Sequence, residues 1–124
     1  LDIEPEDETS LHNRGMAYLK KGLPRQALED FHRVLRAAPG NLEAVRNRAA
    51  AWDALGDYRR AIADYSTVLR AYPQNAELRA ARARASLRSG DPAQAKQDVE
   101  ACRSLGMAVD PELSRAVEDA LRAR

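Results

Sequence analysis

The chain has 124 residues, 31% of them charged, and a formal net charge of +1, so no global field marks it for nucleic acid or a membrane surface. No apolar run approaches the roughly 20 residues that cross a bilayer, and no signal peptide is visible in the stretch. Cys102 is the single cysteine, which excludes an internal disulfide and a cysteine-built zinc cluster.

Pro5, Pro39 and Pro73 lie 34 residues apart, and Gly22, Gly56 and Gly90 keep the same step. So do Gly15, Ala49 and Ala83, then Ala27, Ala61 and Ala95, then Phe31, Tyr65 and Val99. A fixed period of this size specifies a helical repeat array, not a single irregular globule. It divides the chain into an opening segment (1–7), three units (8–41, 42–75 and 76–109) and a tail (110–124).

The opening segment resembles the last turn of a preceding second helix, because Leu1 aligns with Leu35 and Leu69; an acidic leader is the rival reading. The first unit carries Gly15, Tyr18, Gly22, Ala27, Phe31 and Pro39, and like the others it reads as two helices. The second unit is the clearest. Leu42 to Leu55 is rich in alanine, with Leu, Val and Trp at helical spacing and no internal Gly or Pro. After Gly56-Asp57 a second helix runs from Tyr58 to about Ala71, with Ala61, Ile62, Tyr65, Val68 and Leu69 on one face. Pro73 stops it, since proline lacks the amide hydrogen and restricts its predecessor. The glycine series at 22, 56 and 90 fits a left-handed residue closing each first helix. Small residues at 15, 49 and 83 let the paired helices approach closely. The third unit departs most: Ser86 stands at the aromatic position and Met107 at the proline. In the tail, Asp110-Pro111-Glu112 is a helix start, followed by Leu113, Val117, Ala120 and Leu121 on one face.

These residues resemble the tetratricopeptide repeat family, most closely through Ala49, Trp52, Leu55-Gly56, Tyr58, Ala61, Tyr65 and Pro73. The resemblance covers residues 8 to roughly 105. It implies an all-α, right-handed superhelical solenoid of antiparallel helix pairs, closed by a capping helix that solvates the exposed stacking face. It also implies a concave groove, lined by the first helices, that receives a peptide. Carried onto this chain, the groove residues are His12, Asn13, Met16, Arg46, Asn47, Asp53, Arg84 and Arg88. Asn13 and Asn47 repeat at the period, and an amide can donate to and accept from a peptide backbone at once. Arg46, Arg84 and Arg88 tilt this surface basic, so an acidic or carboxylate-bearing peptide is the expected partner.

Catalytic and metal readings find no support. His12 and His32 have no partners at metal-ligand spacing, and no phosphate loop or nucleophile–base arrangement is visible. Cys102 falls in series with Val34 and Val68, as a core residue. The expectation is a non-enzymatic adaptor or scaffold that uses no cofactor and inserts in no membrane in this segment; the sequence leaves the compartment open, with a soluble, cytoplasmic protein favoured. Self-assembly through the ends of the array is the alternative, with a homo-oligomer as its product. Nucleic-acid binding through Arg79, Arg82, Arg84 and Arg88 is opposed by near-neutral charge and few exposed aromatics. Because Arg14, Arg48 and Arg82 share their period with Asp30, Asp64 and Asp98, these residues are expected to pair structurally.

Overall fold

A computed structural model describes residues 7–123, and the expectation for Leu1 to Pro5 lies outside them. The described residues form seven helices and no strand: α1 (Glu8–Lys20), α2 (Pro24–Ala37), α3 (Leu42–Ala54), α4 (Tyr58–Ala71), α5 (Ala76–Arg88), α6 (Pro92–Ser104) and α7 (Pro111–Arg122). Each helix packs chiefly on its neighbours in sequence, so α1–α2, α3–α4 and α5–α6 make three antiparallel pairs stacked in a row. Quasi-linear stacking of this kind makes each pair depend on the next for burial.

Local chemistry sets the helix ends. Asn41 and Asn75 cap α3 and α5, their side chains accepting from the amides of Ala44 and Leu78 at 3.0 and 3.1 Å. Gly22, Gly56 and Gly90 adopt φ of +76°, +81° and +88°, the left-handed conformation that closes each first helix. Gly15 serves a different need: a Cβ built there would stand 2.7 Å from Phe31 Cε1, and the Phe31 ring is fully buried. At the matching sites Ala49 and Ala83 are fully buried, with Tyr65 and Val99 where the first pair has phenylalanine.

The third unit leaves the array differently. α2 and α4 end at Ala37 and Ala71, but α6 stops at Ser104, one residue short of the period, and turns through Gly106 at φ +84°. Met107 N–H then bonds back to the Cys102 carbonyl at 3.0 Å. Without a proline to block the helix, a glycine ends it. The chain next enters α7, where Asp110 accepts from the Glu112 amide at 3.0 Å. Leu113 and Val117 of α7 are buried against Ala83, Ala95 and Val99 and so cover the end of the stack.

The periodic Arg and Asp pair as expected, each arginine using two nitrogens on one carboxylate. Arg14 holds Asp30 at 2.9 and 2.8 Å, Arg48 holds Asp64 at 2.8 and 2.9 Å, and Arg82 holds Asp98 at 2.8 and 2.7 Å. All three aspartates are buried. These forks fix the register of the two helices within each pair. Because Arg82 and Arg79 both bond Asp98, two of the four arginines in the nucleic-acid reading are engaged in the fold.

Candidate functional site

The first helices α1, α3 and α5 lie in a row, and their contacts across unit boundaries build one polar face. Asn47 Nδ2 on α3 lies 2.9 Å from His12 Nε2 on α1, and Glu43 comes within 3.7 Å of the same nitrogen. Further along, Arg46 is 3.8 Å from Glu77 of α5, and Arg88 of α5 is 3.4 Å from Asp53 of α3. Asp53 also accepts from the Tyr65 hydroxyl at 3.4 Å.

The eight residues singled out from sequence have unequal surroundings. His12 is buried, its ring edge-on to Phe31 at 5.7 Å, so it serves α1–α2 packing as well as the Asn47 contact. Met16 is half-buried against Ala27, Phe31 and Ala51. Asn13 is exposed at the rim of a depression of about 210 Å³ shared with Glu8, Thr9 and Asn41. Arg46 borders a notch of about 250 Å³ between the second and third pairs, lined by Leu42, Val68, Tyr72 and Leu78. Arg88 lies 3.4 Å from Asp53 and 5.9 Å from the centre of the Tyr58 ring. Arg84 is exposed and, among the described residues, carries no ion pair.

Two tyrosines outside the eight residues singled out from sequence border this face. Tyr65 is buried by its ring, yet its hydroxyl reaches Asp53. Burial, then the Asp53 carboxylate, push its phenol up to about 12, against the opposing pull of Arg46 and Arg84. Tyr72 is 57% exposed at the end of α4, beside the notch. The cross-unit pairs His12–Asn47 and Asp53–Arg88 are both 35 residues apart. Scanning polar residues at the period plus one would have found them.

The Tetratricopeptide repeat family profile matches residues 12–76, and a second profile of the same description matches residues 54–101. The chain belongs to the tetratricopeptide repeat family. Solved structures agree. The second such domain of Spaghetti (RPAP3), bound to the HSP90 peptide SRMEEVD, is 27% identical; it is matched over 81% of this chain and 93% of its own, with a TM-score of 0.72. The Sgt2 domain from Aspergillus fumigatus is 22% identical over 98% of this chain and 81% of its own, at 0.77. MamA of AMB-1 is 21% identical over 98% of this chain and 66% of its own, at 0.84. No curated protein sequence matches the chain. The tetratricopeptide fold is a protein-interaction fold, and its all-helical solenoid form is what the seven described helices build. Among those residues no helix is long and apolar enough to cross a membrane, and no group of three or more His, Cys, Asp or Glu side chains could hold a metal ion.

Proposed function

We propose that this tetratricopeptide array is an adaptor domain that receives a partner peptide along the face of α1, α3 and α5. The observation that carries the reading is the exposed guanidinium of Arg84, which makes no ion pair among the described residues, on a face whose other arginine–carboxylate pairs are long. Pairs of this kind contribute little to stability, about 0–1 kcal/mol, and can be exchanged for contacts with a ligand. Asn47 offers the same face an amide that can hold a peptide backbone.

The HSP90 peptide bound to the Spaghetti domain supports peptide binding in a relative, but its mode does not carry over. Family members that grip the acidic tail of heat-shock chaperones use two lysines, two asparagines and an arginine. The matching sites here are His12, Met16, Asn47, Glu77 and Ala81, of which only Asn47 agrees. Glu77 would repel a terminal carboxylate. The ligand is therefore a peptide with acidic side chains directed at Arg84 and Arg46, not a chain terminus held in a clamp.

The test compares the parent with Asn47→Ala/Arg84→Glu in an affinity capture from lysate, both first shown equally helical by circular dichroism. A protein captured by the parent and lost from the variant supports the groove and names its ligand. Equal capture by both sinks it, and capture of nothing but the domain itself moves the reading to assembly through the ends.

A further inference from the structure

The second helices carry a different charge pattern on the side of the array away from that face. On α2, Arg25, Glu29, Arg33 and Arg36 form one stripe opposite the buried face of Ala27, Phe31 and Val34. The same stripe on α4 is Arg59, Ala63, Thr67 and Arg70, opposite Ala61, Tyr65 and Val68. On α6 it becomes Ala93, Gln97, Ala101 and Ser104. Five arginines against one glutamate thus occupy the first two second helices, and the third has no charge there. Arg25 and Arg59 are one period apart, as are Arg36 and Arg70. All four are exposed, and none makes an ion pair among the described residues. Arg70 bonds only the Thr67 hydroxyl, at 3.3 Å. The exposed ion pairs of the first-helix face find no counterpart in these four.

Beside the first stripe, His32 of α2 lies 3.5 Å from Arg48 and edge-on to Trp52 at 5.7 Å. Burial first, and then Arg48 and Arg36, hold its imidazole below the ordinary histidine range; Arg60 adds to this and Asp64 opposes it. Of the stripe arginines, Arg36 is the one that acts on this imidazole; Arg48 and Arg60 are paired with Asp64 and Asp57.

We infer that the outer face of α2 and α4 is a second interaction surface, and that its partner is an extended Asp/Glu-rich protein segment. Guanidinium groups bond carboxylates in a two-pronged geometry that an ammonium cannot reproduce, and every basic residue of the stripes is an arginine. Arg25 and Arg36 are eleven residues apart, about 16 Å along a helix at ~1.5 Å per residue. That span matches about five residues of extended chain, so the charge suits a line of carboxylates better than one compact anion. Single-stranded nucleic acid needs exposed aromatic rings for stacking, and here Arg60 covers the Trp52 ring at 4.9 Å. A bilayer surface favours apolar anchors beside the cations, and the stripe offers only Ala63 and Thr67 between its arginines.

Fluorescence anisotropy with labelled oligoglutamate tests this on the whole chain. The parent should bind with an affinity that falls as salt rises. Arg36→Glu/Arg59→Glu should weaken binding at least ~10-fold, whereas Arg36→Lys/Arg59→Lys should keep part of it. Because the groove is itself proposed to take acidic peptides, the same charge reversal is repeated in the Asn47→Ala/Arg84→Glu background, where the binding that remains should still be lost with Arg36→Glu/Arg59→Glu, which separates the two surfaces. Absence of binding by the parent, equal binding by the charge-reversed variant, or complete loss of binding in the Asn47→Ala/Arg84→Glu background alone would overturn the inference. So would tighter binding to polyuridylate or to phosphatidylserine vesicles than to oligoglutamate.

Discussion

Asp64 depends on a single cation. Its side chain is 9% exposed and, among the described residues, its carboxylate is held by Arg48 alone, whereas Asp30 has Arg33 at 3.2 Å and Asp98 has Arg79 at 3.4 Å as second partners. Removing one member of a buried pair strands the other without solvent or partner, at a cost of about 3–5 kcal/mol. Arg48→Met should therefore lower the unfolding free energy by that order, read as a lower urea midpoint at unchanged m. Arg48→Met/Asp64→Leu should recover most of the loss, because two apolar side chains leave no stranded charge. A double variant as unstable as the single one would show that the fork stabilises by geometry and not by charge compensation. The pairing itself was legible in sequence, because both partners repeat at the same period. The depth of burial that sets its energy was not, since it depends on how the flanking helices close over the carboxylates.

At the scale of the element, the junction of α2, α3 and α4 responds to pH through His32. Its folded-state pKa lies below the ordinary value of 6.5, so the unfolded chain binds the proton more readily than the folded one. The stabilisation is thus present above 6.5 and is lost as pH falls through the lower folded value. Denaturant midpoints should decline between about pH 7 and pH 5, and His32→Asn should flatten that decline relative to the parent. An identical slope in the variant would assign the dependence to other groups. Helix positions were readable because apolar spacing, the proline stop and the glycine series agree with one another; α3 and α4 begin where expected, and α3 ends one residue earlier. The exit of α6 was not readable in that way. Gly106 follows no period, and its left-handed turn became necessary only because Met107 replaced the proline. The first-helix face was legible as a set of positions, but its partnerships join side chains of different units and follow from the rotation of one pair on the next.

The whole molecule holds together by nearest-neighbour contacts, so damage should stay local. α7 touches α6 and α5 and buries Leu113 and Val117 against the third pair. A chain truncated before Asp110 should lose amide-exchange protection first in α5 and α6, while α1 and α2 keep theirs. Uniform loss across all helices would mean that the array unfolds as one cooperative block. The two proposed surfaces belong to different helices of each pair, one to the first helices and the other to the second, so a ligand on one would leave the other open. Gly106 carries a further consequence, for anyone who would lengthen the protein. A duplicated unit spliced at the Asn75–Ala76 boundary would meet the capping asparagine and stacking faces that its neighbours already use. The same unit grafted after α6 would meet a chain already turned aside toward α7. Growth by copying is open from within the array and blocked at its far end.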